Sequence, residues 1–123
     1  MPKILIVDDD QDFVSAVAIV LESAGYQVAT AYSRDTGMQI FNQENPDVVV
    51  LDVMMQEPDD GFVMAQDLKK IRPEVPILML TSVGQVTGMD FDKDEDLVPV
   101  EVFEQKPIMP GRLLERIREL LNK

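Results

Sequence analysis

The chain has 123 residues, 46% of them hydrophobic, which is enough for one domain with one core. Its 23 acidic residues against 11 basic ones give a formal charge of -12, which argues against direct binding to nucleic acids or to anionic membranes. Cysteine and histidine are both absent, which excludes disulfides, thiolate metal sites and the commonest general base.

The first predicted element is a strand from Ile4 to Val7, and three aspartates, Asp8, Asp9 and Asp10, follow it directly. This apolar run is too short for a signal sequence or a membrane span, so we expect a cytoplasmic protein. Adjacent carboxylates at the end of a buried strand repel one another unless a cation lies between them. The stretch therefore predicts a bound cation.

A helix follows, with Asp10 as its N-cap and Gly25 at its end. Its apolar face consists of Phe13, Val14, Val17, Ala18, Val20 and Leu21. A weaker strand pattern covers residues 26–31. Ser33 then predicts the cap of a second helix, which runs to about Asn42.

The second half of the chain continues the alternation. Three apolar runs predict strands, at residues 48–51, 77–80 and 98–103. A third helix is predicted with Asp60 as its cap, and it runs to Ile71 before Pro73 stops it. The last helix begins near Pro110, and its apolar stripe consists of Leu113, Leu114, Ile117, Leu120 and Leu121.

Strands that alternate with amphipathic helices predict an α/β fold: a doubly wound five-stranded parallel sheet, in one domain over residues 1–123. The polar residues that follow the strands of such a sheet meet at its carboxyl edge. Here they are Asp8, Asp9, Asp10, Asp52, Thr81, Ser82, Lys106 and Pro107. Each alone is typical of a cap, a turn or a solvated surface. Together they predict a functional site.

This ordered set resembles the receiver domain of two-component response regulators, over essentially the whole chain. The matching motifs are VDDD after the first strand, Asp52 in VVVLDVMM, Thr81 in ILMLTS, and VFEQKP with Phe103, Lys106 and Pro107. The resemblance implies a stand-alone, CheY-like receiver with the flavodoxin-like strand order 2-1-3-4-5. It also implies signal transduction by phosphorelay, with no enzyme activity beyond gain and loss of the domain's own phosphoryl group.

The resemblance further implies the roles of the site residues. Asp52 would accept a phosphoryl group from a histidine kinase or phosphotransfer protein, assisted by Thr81 and Lys106. The implied Mg²⁺ ligands are Asp8, Asp9, Asp52 and the backbone carbonyl of Met54. Clustered carboxylates suit a hard cation such as Mg²⁺ better than a transition metal.

Three further expectations concern switching and lifetime. By resemblance, Thr81 and Phe103 form the switch, and Pro107 follows a cis peptide bond. Met54 and Val83, each two residues past a site residue, should flank the phosphoryl group. Both are apolar where a polar side chain would position an attacking water, which predicts slow loss of phosphate.

The sequence departs from the family pattern in two places. Gln56 stands where the family commonly has proline, and Asp60-Gly61 falls one residue later than usual. Residues 83–98 replace the customary alanine-rich fourth helix, and most of their charges are acidic. We expect a short, altered or mobile helix there. A solvated acidic insertion and a partner-recognition surface both remain open.

Two rival functions also remain open. The stretch ILIVDDDQD is similar to the nucleophile motif of haloacid-dehalogenase-like phosphatases, which would make Asp8 the phosphorylated residue. A pseudo-receiver that only binds proteins is the other alternative. In a single domain, output must pass through a partner protein, which the sequence does not name.

Overall fold

A computed structural model of the protein describes residues 2–53, 55, 60–82, 100–106 and 108–122. The described strands are β1 (Lys3–Val7), β2 (Gln27–Ala31), β3 (Val48–Asp52), β4 (Ile77–Ser82) and β5 (Val102–Lys106). The described helices are α1 (Gln11–Ser23), α2 (Arg34–Glu44), α3 (Asp60–Ile71) and α4 (Pro110–Leu121).

The strands form one parallel sheet in the order β2-β1-β3-β4-β5, which confirms the predicted fold and strand order. The central strands are buried on both faces: every residue of β3 is buried. Continuous runs of Val, Ile and Leu favour such strands, because neither face is left to solvent.

Two hydrophobic layers cover the two faces of the sheet, and alternate residues of each central strand belong to different layers. In β1, Leu5 and Val7 pack with α2 and α3, whereas Ile4 and Ile6 pack with α1 and α4. This alternation follows from the two-residue period of a strand. It fixes the register of the strands, because a slip by one residue would exchange the two layers.

Local signals fix most helix ends as predicted. The Asp10 carboxylate accepts a hydrogen bond from the Phe13 amide at 3.1 Å, and Ser33 Oγ accepts one from the Thr36 amide at 3.2 Å. Gly25 follows α1 with a φ of 95°. Only glycine adopts this conformation at no steric cost, so α1 ends there.

Three predicted boundaries were wrong. Asp60 is the first residue of α3 and does not precede it as a cap. The second helix continues to Glu44, and Asn45 ends it in the left-handed conformation with a φ of 49°. The described fifth strand is Val102–Lys106, so it extends past the predicted end at residue 103 because its pairing with β4 continues to Lys106; residues 98 and 99 lie outside the described residues. The expectation for a fourth helix within residues 83–98 lies outside the described residues.

Candidate functional site

The ends of four neighbouring strands bring the predicted polar residues to one edge of the sheet. Asp8 follows β1, Asp52 is the last residue of β3, Thr81 lies in the last two residues of β4, and Lys106 ends β5. Asp8, Asp52 and Thr81 are 2%, 4% and 3% exposed. Buried groups of this kind need partners, and the partners decide what the site can do.

Lys106 joins the two buried carboxylates. Its ammonium donates a hydrogen bond to Asp8 Oδ2 at 2.6 Å and lies 3.3 Å from Asp52 Oδ1. The other Asp8 oxygen accepts a hydrogen bond from the Asp10 amide at 2.9 Å. Both oxygens of Asp8 are therefore engaged.

Asp52 is less well satisfied than Asp8. Among the described residues, Asp52 Oδ1 is a buried oxygen without a hydrogen-bond partner. The contact with Lys106 is close enough for an ion pair, yet it lacks hydrogen-bond geometry. This oxygen is consequently a buried acceptor that remains available within the described part of the site.

Asp8, Asp9 and Asp52 form a cluster in which one carboxylate oxygen from each residue lies within 4.8 Å of the other two. Asp9 is exposed, whereas the other two are buried. Hard divalent cations take oxygen ligands of this kind, and Mg²⁺ retains several waters beside one or two carboxylates. The donor set and the unpaired Asp52 oxygen both fit Mg²⁺ as predicted, while the fourth predicted ligand, the Met54 carbonyl, lies outside the described residues.

The charge balance of the site shows in its pKa values. Burial raises the pKa of Asp52 to about 6, and repulsion from Asp8 adds to this effect, against the lowering influence of Lys106. Burial likewise raises the pKa of Asp8, although the hydrogen bond from Lys106 opposes it. For Lys106, burial alone would lower the pKa, but Asp8 and Asp52 together outweigh it and the pKa is raised. Lys106 therefore stays charged at neutral pH.

The backbone around Asp52 is held by α3 and β4. The Val53 amide donates to the Leu80 carbonyl at 3.0 Å, and the Gly61 amide donates to the Val53 carbonyl at 2.8 Å. A Cβ on Gly61 would lie 2.7 Å from Val53 Cα and would also collide with the Asp52 carbonyl oxygen. Glycine at position 61 is thus required for the start of α3 to approach the end of β3.

Two residues near the site have no role in the sequence interpretation. Arg34 at the start of α2 pairs with the buried carboxylate of Asp60 at 3.2 Å and so links α2 to α3. The ring of Phe13 lies under the Lys106 ammonium, 4.5 Å from nitrogen to ring centroid. The sequence predicts Phe13 only as part of the apolar face of α1, because helical spacing does not show that its ring contacts a lysine at the end of β5.

The remaining predicted residues divide into two groups. Thr81 lies opposite Gln105 in the β4–β5 ladder, next to the strand end that carries Lys106. Phe103 is partly buried and packs against the layer that contains α2 and α3. Met54, Val83 and Pro107 lie outside the described residues, so their predicted roles stay predictions.

Residues 4–118 match the family described as response regulator receiver domain. The chain is 38% identical over 125 residues to a probable transcriptional regulator ycf27 from Guillardia theta, covering 98% of this chain and 46% of that protein. It is 36% identical over 129 residues to the DNA-binding dual master transcriptional regulator RpaA from Synechocystis, covering 100% of this chain and 50% of that protein. The chain thus spans about half the length of the curated relatives it matches.

Solved structures show the same likeness. A response regulator receiver domain protein from Clostridium thermocellum is similar, with a TM-score of 0.87 and 27% identity over 99% of this chain and 95% of that one. A CheY-like receiver domain protein from Methanospirillum hungatei has a TM-score of 0.85 and 26% identity, over 99% and 94% of the two chains. Within the described residues, none of the helices is long and apolar enough to cross a membrane.

Proposed function

Because the chain belongs to the response regulator receiver domain family of two-component signalling, we propose that Asp52 accepts a phosphoryl group from a phosphohistidine. The observation that carries this proposal is the buried Oδ1 of Asp52, which has no hydrogen-bond partner among the described residues and lies 3.3 Å from the Lys106 ammonium. A carboxylate oxygen with a free lone pair can attack phosphorus, and nearby positive charge stabilises the charge on the group being transferred. Asp52 Oδ1 offers such an oxygen, and Lys106 supplies such charge.

In the proposed transfer, an Asp52 oxygen forms a bond to phosphorus while the phosphorus–nitrogen bond to the donor histidine breaks. The electron pair of the broken bond stays on the imidazole nitrogen. Charge on the transferred group spreads over its equatorial oxygens, so positioned positive charge stabilises the transition state. Lys106 supplies such charge from its place between Asp8 and Asp52, and the Thr81 hydroxyl donates to another phosphoryl oxygen.

Receiver domains of this family typically bind Mg²⁺ at an acidic pocket, and we propose that Asp8, Asp9, Asp52 and the Met54 carbonyl hold it here. When bound, the ion offsets the repulsion among the carboxylates and neutralises charge on the phosphoryl oxygens. Asp8 and Asp9 orient it from the end of β1. The surplus of three carboxylates over one lysine supports this assignment.

The geometry favours Asp52 over Asp8 as the phosphorylated residue. Both oxygens of Asp8 accept hydrogen bonds, from the Lys106 ammonium and the Asp10 amide. Both Asp8 oxygens are thus held by described neighbours, whereas Asp52 Oδ1 has no hydrogen bond among the described residues and is freer to meet an incoming phosphorus. The phosphatase alternative therefore has less support than the receiver.

We further propose that the phosphoryl group biases Thr81 and Phe103 between two packings, and that Met54 and Val83 slow its hydrolysis. The domain would receive its phosphoryl group from a histidine kinase or phosphotransfer protein and pass its state to an output protein. The formal charge of -12 argues that this domain does not itself bind nucleic acid.

The test is intact-mass spectrometry after incubation with acetyl phosphate, in which the phosphorus–oxygen bond breaks and acetate leaves. We expect one added phosphoryl group that requires Mg²⁺ and disappears in Asp52→Asn. Asp47→Asn is the matched control, since it removes an exposed carboxylate at the far end of β3, and it should be labelled like the parent.

Each other outcome contradicts the proposal in its own way. Labelling that survives Asp52→Asn and disappears in Asp8→Asn would indicate the phosphatase scheme. An unlabelled parent, in a reaction where a control receiver is labelled, would indicate a pseudo-receiver that binds partners only.

A further inference from the structure

The Lys106 ammonium lies over the ring of Phe13, with its nitrogen 4.5 Å from the ring centroid. Phe13 belongs to the first turn of α1, and its amide donates to the capping carboxylate of Asp10 at 3.1 Å. Its side chain packs against the layer formed by α1 and α4. The ring is thus held by the helix start and by the core, and it presents a fixed face to the lysine.

This contact completes the surroundings of the ammonium. Lys106 donates to Asp8 at 2.6 Å, lies 3.3 Å from Asp52 Oδ1, and its side chain is only 17% exposed. The face of an aromatic ring carries negative charge, so it attracts a cation that has lost part of its water. The ring therefore replaces some of the hydration that burial removes.

A lysine side chain has four rotatable bonds and loses much rotational freedom when it is fixed. Asp8 holds the ammonium on one side, and Asp52 must reach it during transfer. Without a further contact, the ammonium has other orientations in which it bonds to Asp8 and points away from Asp52. The ring reduces these orientations and keeps the ammonium between the two carboxylates.

We propose that Phe13 is a positioning residue for phosphoryl transfer, which acts by holding the Lys106 ammonium where the phosphoryl oxygens arrive. This inference rests on the proposed function, since it assigns how one group of the same site is oriented. The charged group that the structure places over the Phe13 ring is the Lys106 ammonium, and the ring's contribution passes through that side chain.

If Phe13 only positions Lys106, its loss should change the rate of phosphoryl transfer without weakening the binding of Mg²⁺. Lys106 bonds to the Asp8 carboxylate, which would also hold the cation, so a less firmly held lysine would not weaken the ion's binding. Loss of the ring should slow phosphorylation and leave Mg²⁺ affinity unchanged or slightly higher. A general distortion of the site would lower the rate and weaken Mg²⁺ binding together.

The experiment compares Phe13→Leu, which keeps an apolar side chain, with Phe13→Tyr, which keeps the ring face. At saturating Mg²⁺ and equal acetyl phosphate, we expect Phe13→Leu to be labelled about fivefold more slowly and Phe13→Tyr to stay within about twofold of the parent. Calorimetric titration with Mg²⁺ should give dissociation constants for Phe13→Leu no weaker than the parent's.

Phe13→Leu and Phe13→Tyr are then each combined with Lys106→Ala. Labelling is slower without the lysine, so the reaction is followed for longer. If Phe13 acts through Lys106, Phe13→Leu should change the rate less than about 1.5-fold there. The NMR signals of the Lys106 methylene protons next to the ammonium should move upfield by the ring current in the parent and in Phe13→Tyr. They should lose this shift in Phe13→Leu, whatever the labelling rate.

Phe41→Leu is the matched control, because it also removes a ring that faces a cation, Arg72, at the opposite edge of the sheet. It should lower stability and leave the labelling rate unchanged. Parent-like labelling of Phe13→Leu, or an equal loss in the Lys106→Ala background, would overturn the positioning role. An unlabelled parent would instead overturn the proposed function itself.

Discussion

The charged side chains at the two edges of the sheet differ in how they are paired and in how far they are buried. At the amino edge, where the strands begin, Asp47 accepts a hydrogen bond from the Lys3 amide at 2.7 Å, and the Lys3 ammonium donates to Glu44 at 2.8 Å. Arg72 donates to the Asn45 side chain and to the Pro46 carbonyl. These polar groups are paired and largely exposed, and their bonds tie the loops to the strands.

At the carboxyl edge, the carboxylates outnumber their cationic partners and most of them are buried. Three carboxylates, Asp8, Asp9 and Asp52, converge on one ammonium, that of Lys106. Two of the three are buried, and one oxygen of Asp52 has no hydrogen bond among the described residues. An arrangement that stabilised only the fold would not leave a buried carboxylate oxygen unpaired, because its desolvation is costly.

The amino edge of the sheet therefore carries polar groups that stabilise the fold, whereas the carboxyl edge carries the polar groups of the candidate site. Satisfied pairs at the amino edge contribute modestly to stability, since exposed ion pairs are worth little. The excess of negative charge at the carboxyl edge lowers stability, and the carboxylate oxygens that carry it are ligands of the kind that the proposed Mg²⁺ requires. Four measurements would sharpen or break this contrast.

The largest effect is expected for Gly61→Ala at the carboxyl edge. The added Cβ would collide with the backbone of Asp52 and Val53, which cannot shift as easily as the end of a flexible side chain. We expect the free energy of unfolding to fall by about 3 kcal/mol or more, as measured by urea denaturation. Gly111→Ala in α4 is the control, since a Cβ there meets nothing within 4 Å. Equal stability of the two variants would contradict the close approach of α3 to β3.

The second-largest effect is an increase in the free energy of unfolding. In the absence of Mg²⁺ at neutral pH, Asp52→Asn should raise the free energy of unfolding by about 2 to 3 kcal/mol, because it removes a buried charge whose pKa is raised to about 6. Asp47→Asn at the amino edge should lower it by about 1 kcal/mol, since it weakens a satisfied hydrogen bond. If both substitutions destabilised the protein equally, the contrast between the edges would fail.

The third measurement is the pH dependence of stability in a chelator. The Asp52 pKa is raised from 3.8 to about 6 in the folded protein, so the folded state binds a proton more readily than the unfolded state. The contribution of Asp52 to stability is therefore greatest below about pH 4 and is lost as the pH rises through about 6. The difference in unfolding free energy, Asp52→Asn minus parent, should increase by about 1.4 kcal/mol between pH 5 and pH 7.5. A difference that stayed constant, or that decreased, would show that Asp52 is not the buried titrating group.

The smallest effect is expected at the amino edge. The Lys3–Glu44 ion pair joins side chains that are 28% and 42% exposed. Its removal in Lys3→Ala should lower the free energy of unfolding by about 0.5 kcal/mol, and by less at high salt. Thermal denaturation at two salt concentrations measures both quantities. A loss comparable to that of Gly61→Ala would mean that the amino edge carries more of the stability than its exposed pairs suggest.

The strands, the helices and most of the site were predictable from the sequence, because local rules govern them. Apolar runs indicated buried parallel strands, and Asp10 and Ser33 were predicted as caps from their position before amphipathic segments. In a parallel sheet the ends of the strands meet at one edge, so the four strand ends sufficed to predict that Asp8, Asp52, Thr81 and Lys106 share it, while the strand order came from the resemblance to receiver domains.

Other features required the tertiary structure, because contacts between distant segments decide them. The start of β5 depends on its pairing with β4, and local hydrophobicity favoured residues four positions earlier. The contact of Phe13 with Lys106 joins residues from opposite ends of the chain. The helical pattern around Phe13 and the strand pattern before Lys106 do not indicate that the two side chains meet. The sequence by itself determined which groups reach the carboxyl edge. Only packing decided that Lys106 bonds to Asp8 and leaves Asp52 Oδ1 unpaired, since that choice depends on distances of a few tenths of an ångström.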